Sequence, residues 1–207
     1  KLRVRGVCGD STFEGEREIL HTSHRFDIRV ANPKLWWCRG QGEQNRYTVR
    51  AAIGSGDTSD TVTRAIGFRR VKLVMNEGAW RAIPPQTQGK YPITLELNGR
   101  KIFAKGSNVV SPDIFFSKIT PERYETLVQY AADANMNIFR MWGGSPVNKE
   151  CFFDACDRLG MMVWQEFTLS CNNYPDDAHY LEMLEKESAS IIKRLRVHPS
   201  VVLWCGG

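Results

Sequence analysis

Apolar and polar residues alternate along RYTVRAAI (46–53), RFDIRV (25–30) and FRRVKLV (68–74). This period-two spacing turns one face of a strand to a core and the other to water. The cluster GSGDTSD (54–60) has the composition of a turn. From residue 1 to about residue 85 such short strands follow one another with no helical period between them. That pattern predicts an antiparallel β-sandwich.

The period lengthens after IPPQTQGKYP (83–92), a stretch suited to a domain junction. TLELNGRKIFAKGSNVV reads as a hairpin with Asn98 and Gly99 at its tip. TPERYETLVQYAADANM predicts a helix, with Thr120 as N-cap, Pro121 in the first position, and Tyr124, Leu127, Val128 and Ala131 along one face. NIFRMW is a short strand, KECFFDACDRLG a helix closed by Gly160, and MMVWQEF a strand. The loop CNNYPDD leads into a long helix ending near Arg196, and VVLW (201–204) is the next strand. Strands and helices alternating at this spacing predict parallel βα units.

An open doubly wound sheet and a (β/α)₈ barrel both begin in this way. KGSN after the first strand is not a GxGxxG phosphate loop, which weakens the nucleotide-binding reading. Each strand ends in polar or aromatic residues: Asn108, Arg140 with Trp142, Gln165 with Glu166, and Trp204. A barrel gathers such strand ends into one site. The expected organisation is a β-sandwich over 1–86 and the first four βα units of a TIM barrel over 87–207. On this count VVLWCGG stops where the second half of the barrel is due.

Composition narrows the function classes. The chain has 207 residues and a formal charge of +5, with Lys and Arg spread along its length. The two denser basic runs, 67–72 and 193–196, read as solvated faces, so no nucleic-acid partner is inferred. No stretch reaches the roughly 18 to 20 apolar residues of a membrane helix, and the first ten residues hold no signal-peptide core. A leader would lie upstream if the chain is part of a longer one, so the compartment is unread. Six separated cysteines without CxxC spacing, and four scattered histidines, give no zinc pattern and fit free thiols.

LWWCRGQGEQNRYTV, GFRRVKL, KGSN, RMWGG, FFDACDRLGMMVWQEF and HPSVVLWCGG resemble, in this order, glycoside hydrolase family 2 and especially its β-mannosidase-like branch. The resemblance covers roughly residue 32 to the end. It implies an immunoglobulin-like sandwich followed by a TIM barrel, and an enzyme that removes terminal β-linked sugars with retention, most closely β-mannosides. β-Galactosidase, β-glucuronidase and exo-β-glucosaminidase share the architecture and remain alternatives, as does a noncatalytic carbohydrate-binding protein. Retaining hydrolysis uses two carboxyls about 5 to 5.5 Å apart, one acid/base and one nucleophile. In the family the acid/base glutamate ends a W-x-G-x-N-E pattern, whose front is matched by Trp204, Cys205, Gly206 and Gly207. Both catalytic glutamates are thus expected beyond residue 207, and the chain by itself is expected to be inactive. No cofactor or metal is implied; the implied partners are a carbohydrate substrate and the rest of the same polypeptide.

The candidate substrate-binding residues are Trp142, Arg140, Glu166, Asn108 and Trp204. Trp142, before Gly143 and Gly144, can stack on a sugar ring or stand as an unliganded rim aromatic. Arg140, two residues earlier, shares its strand face, and either holds a carboxylate ionised or pairs within the core. Glu166 has a supporting role in this reading, orienting a substrate hydroxyl or a neighbouring Arg, against a purely structural hydrogen bond. Asn108 is a rim amide that reaches substrate or the next loop, and Trp164 alternates with Glu166 and fills the interior. Asp154 and Asp157 read as surface groups beside Arg158, His198 as a hydrogen-bonded structural histidine, and Trp36 and Trp37 as packing residues. Where close relatives run WGGG into an aromatic loop, this chain has Gly143, Gly144, Ser145, Pro146 and Val147, which leaves the sugar preference open.

Overall fold

The computed structural model describes residues 1–23, 25–55, 58–79 and 92–206. The expected junction at 83–92 lies outside the described residues but for Pro92, as do Gly56 and Asp57 of the turn cluster and Gly207.

The described residues form three sheets. In the first, β1 (Leu2–Cys8) and β2 (Ser11–Arg17) form one hairpin, and β3 (Tyr47–Ser55) and β4 (Thr58–Ile66) another. Antiparallel pairing of β1 with β3 joins them in the order β2-β1-β3-β4. One face is closed by the rings of Phe13, Tyr47 and Phe68, whose centroids lie 5.0 to 6.0 Å apart. Gly6 sits directly under Phe13; a Cβ there would come within 2.2 Å of the ring. Residues 25–30 join no strand, contrary to their alternation. Ile28 and Phe26 instead cover Gly15 of β2, so the alternating side chains pack without a backbone ladder.

The second sheet is β5 (Val71–Met75), β6 (Ile93–Leu97) and β7 (Arg100–Ile102), antiparallel in that order. Asn98 and Gly99 both have positive φ, 51° and 84°, as a two-residue I′ hairpin turn demands. β5 begins three residues later than its alternation suggests, because Phe68 bridges to Leu35 and Arg69 turns to donate to the carbonyls of Pro199 (3.0 Å) and Val201 (2.6 Å).

The third sheet is parallel: β8 (Gly106–Val109), β9 (Ile138–Met141), β10 (Met162–Glu166) and β11 (Val201–Cys205), with consecutive strands adjacent. Helices α1 (Pro121–Asp133), α2 (Glu150–Leu159) and α3 (Ala178–Leu195) connect them. The Thr120 hydroxyl accepts from the Arg123 N–H, Asp177 caps α3, and Gly160 closes α2 at φ 73°. Gly106 lets β8 approach β9; a Cβ there would meet the Ile138 carbonyl at 1.8 Å.

The parallel sheet is packed on both faces. Phe139, Met141, Val163 and Val201 meet Tyr124 and Phe152 of the helices. On the other face Met162 and Val202 pack with Leu95, Leu97, Ile102 and Trp36, binding the second sheet to the third. Trp36 is fully buried and donates to the Asp157 carbonyl at 2.8 Å, so its expected packing role is met across the two halves. All six cysteines are free. No described helix is long and apolar enough to cross a membrane.

Candidate active-site rim at the strand ends

Register sets Asn108, Arg140, Trp164 and Leu203 side by side across the four parallel strands. Side chains two apart share a face, so Arg140 lies with Ile138, and Trp164 and Glu166 with Met162, on the side away from the helices. Arg140 grips Glu166: its Nε and Nη2 lie 2.6 and 2.5 Å from the same oxygen, Oε1. Nη1 donates to Asn108 Oδ1 at 3.2 Å, and the guanidinium lies 5.4 Å from the centroid of Trp164 beneath it. The other oxygen, Glu166 Oε2, accepts the Gly143 N–H at 3.0 Å.

These contacts decide what Glu166 can do. Its side chain is 3% exposed while that of Arg140 is 38% exposed, so the carboxylate is enclosed and its partner reaches the opening. A buried carboxylate is retained when charge and hydrogen bonds match it, as here on both oxygens. Both oxygens are already engaged, Oε1 by the guanidinium and Oε2 by a backbone N–H. Glu166 is thus tied to Arg140 through one oxygen and to the turn at Gly143 through the other.

Trp142 follows β9. Its N–H donates to the Val109 carbonyl at 3.2 Å, and its ring covers Gly144, where a Cβ would come within 2.2 Å. Gly143 passes so close to the Phe167 carbonyl that a Cβ would meet it at 2.3 Å. The two glycines thus let a tryptophan fold back over its own turn while Glu166 holds that turn by its backbone. Ser145 Oγ accepts from the Ser111 N–H at 3.1 Å and ties in the loop after β8.

Asn108, Arg140 and Glu166 are joined by hydrogen bonds, and Trp142 is joined to them through Gly143. Trp204 is not. It stacks on Phe167, with centroids 5.8 Å apart and planes 21° apart, and packs with the helix-side cluster. A register shift between Val163 and Trp164 accompanies this change of face. Sequence reasoning passed over the Gly143 N–H and gave Trp164 only a filling role; its indole Nε1 is buried and finds no hydrogen-bond partner among the described residues. The doubled glycine and the Trp164–Glu166 alternation were the available signals.

A second polar group lies at the other end of the sheet. His198 is buried, with Nδ1 2.7 Å from Asp157 Oδ2 and Nε2 3.0 Å from Glu150 Oε2. Burial by itself would lower the His198 pKa, but the hydrogen bonds and charges of Asp157 and then Glu150 outweigh it and raise the value above 6.5. His198 is thus the hydrogen-bonded histidine expected. Asp157 is not a surface group: it is 1% exposed, because its Oδ1 also accepts the Ser200 N–H at 3.0 Å. Asp154, Asp157 and His198 offer ligand atoms within 4.8 Å of one another, yet Asp157 and His198 already satisfy each other. Two grooves, about 970 Å³ over β1–β3 and about 630 Å³ between α1 and α2, touch none of the strand-end residues.

Comparison with known proteins agrees with this architecture. Residues 5–69 match the sequence model of the glycosyl hydrolases family 2. β-Mannosidase B of Thermothelomyces thermophilus is 36% identical over 178 residues, 86% of this chain and 20% of that protein. Rat (Rattus norvegicus) β-mannosidase is 36% identical over 195 residues, 93% of this chain and 21% of its own length. The chain therefore spans about a fifth of the curated relatives it matches. The crystal structure of β-D-mannosidase from Dictyoglomus thermophilum superposes with a TM-score of 0.84 at 34% identity, over 99% of this chain and 25% of that one. An exo-chitosanase from Amycolatopsis orientalis superposes at 0.76 with 20% identity over 98% of this chain and 24% of its own, a likeness of fold alone. By sequence and by fold, the chain belongs to glycosyl hydrolase family 2, on its β-mannosidase-like side.

Proposed function

We propose that the protein acts as a retaining exo-β-glycosidase on terminal β-mannosides, and that this chain forms one wall of the pocket for the terminal sugar. The observation that carries the reading is the Arg140–Glu166 pair at the ends of adjacent parallel strands, with Trp142 folded over the neighbouring turn. In this arrangement the Trp142 ring stacks on the apolar face of the sugar, and Asn108 and the exposed edge of Arg140 meet its hydroxyls. Glu166 keeps both in place and touches no substrate.

The carboxyl pair that retention requires, about 5 to 5.5 Å apart, is not assigned to this chain. Glu166 is the sole acidic residue in the four parallel strands, and its oxygens are taken by Arg140 and Gly143. The reading assigns both catalytic glutamates to the rest of the polypeptide. The same engagement argues against a glucuronide: Arg140 already faces an internal carboxylate, so it has less charge to offer a substrate acid.

Sequential parallel strands joined by helices support the first four βα units of a TIM barrel over 87–207, after an immunoglobulin-like sandwich over 1–86. Pairing of β5 with β6 across that boundary makes the second sheet a common floor for both.

The test uses a polypeptide that extends this chain to the length of its relatives, assayed on aryl β-mannoside, β-galactoside, β-glucuronide and β-glucosaminide. The mannoside should give the highest kcat/KM, and Trp142→Ala should lower it by about tenfold or more. Preference for another sugar, or indifference to Trp142→Ala, would refute the assignment.

A further inference from the structure

His198 stands in the turn between α3 and β11, remote from the strand-end group. Both of its ring nitrogens face carboxylate oxygens, Nδ1 toward Asp157 and Nε2 toward Glu150. A neutral imidazole carries one N–H and can donate to only one of them; its other nitrogen would turn a lone pair toward an anion. Only the doubly protonated ring satisfies both contacts. We propose that His198 is a proton-operated clasp: as an imidazolium it joins both ends of α2 to the turn that starts β11, and on losing a proton it keeps Asp157 and releases Glu150.

The surrounding groups fix the order of release. Asp157 is enclosed and is also held by the Ser200 N–H, so a neutral ring keeps its remaining proton on Nδ1 for it. Glu150 has a second partner, Arg194 Nε at 3.1 Å, and its side chain is 53% exposed, so it can leave without stranding a charge. Asp154 lies 4.0 Å from Nδ1 and adds negative charge from the same helix. From the N-terminal half, Arg69 holds the carbonyls of Pro199 and Val201 on either side of Ser200, and Trp36 holds the Asp157 carbonyl. Phe153 packs its ring 5.4 Å from that of His198. The clasp thus sits where α2, the start of β11 and the N-terminal half meet.

The folded state holds the proton more tightly than the unfolded chain. The added stability is therefore complete below about pH 6.5 and fades as pH rises through the folded midpoint. Each unit by which that midpoint exceeds the unfolded value amounts to about a tenfold fall in the folding constant.

The experiment is a proton NMR titration of the 207-residue chain, with His198→Gln identifying the resonance and Glu150→Gln as a variant that leaves the Asp157 contact intact. His198 should titrate above about pH 6.5, and Glu150→Gln should lower that midpoint. Urea unfolding at about pH 6 and about pH 9 should show a loss of stability in the parent chain that is much reduced in His198→Gln. A midpoint at or below about 6.5, or one unmoved by Glu150→Gln, overturns the proposal; if His198→Gln does not fold, replacing His21, His24 and His179 in turn identifies the His198 resonance by elimination.

Discussion

Arg140 and Gly143 between them occupy both oxygens of Glu166, so this carboxylate is held from two sides. Glu166→Gln keeps the shape but leaves the guanidinium without its counter-charge. The partial exposure of Arg140 moderates the loss to about 2 kcal/mol, below the figure for a fully enclosed pair. Urea unfolding should show that loss, and Arg140→Lys should recover little, since one ammonium cannot span Glu166 and Asn108 together. At this scale strand parity was enough to group Arg140, Trp142 and Glu166 from sequence. Parity could not place Trp204, whose face is set by the register shift beside Val163, a three-dimensional event without a residue signature. It was silent on Asp157 too, whose burial depends on a histidine 41 positions away.

The helices could be read from their ends as well as their faces. Thr120, Pro121 and Gly160 stand where capping chemistry puts them, and each carries a testable cost. Thr120→Ala should destabilise by about 1 kcal/mol, measured by urea unfolding. Gly160→Ala should cost more, about 2 kcal/mol, because it adds a Cβ 2.6 Å from the Arg39 backbone nitrogen to the strain of a positive φ. The NG hairpin was legible for a similar reason: two left-handed residues are needed and two tolerant ones are present. Strands were harder. Leu2 and Val4 alternate with arginines as visibly as residues 25–30 alternate, yet only the former find a ladder, in β3. Pairing partners distant in sequence decide that choice.

Across the whole molecule, the N-terminal β-sheets and the parallel sheet are joined by specific polar ties as well as apolar packing. Arg69 reaches the carbonyls flanking Ser200, Trp36 reaches α2, and Gly67 lies against Pro199, where a Cβ would come within 2.6 Å. Arg69→Ala should loosen this joint, and amide exchange should rise at the start of β11 before it rises in β9. Two chain segments with different periods were legible as two kinds of structure. Their common floor was not, since β5 and β6 belong to opposite sides of the expected boundary and meet only in space.

On the proposed function, Asn108, Arg140, Trp142 and Glu166 form a sugar-binding wall that lacks its own catalytic pair. This assignment is tested most directly by aryl β-mannoside hydrolysis, comparing the 207-residue chain with a polypeptide extended to the length of its relatives. Turnover by the extended protein and none by the chain alone is the expected result; turnover by the chain alone, or none by the extended protein, would overturn the proposed function.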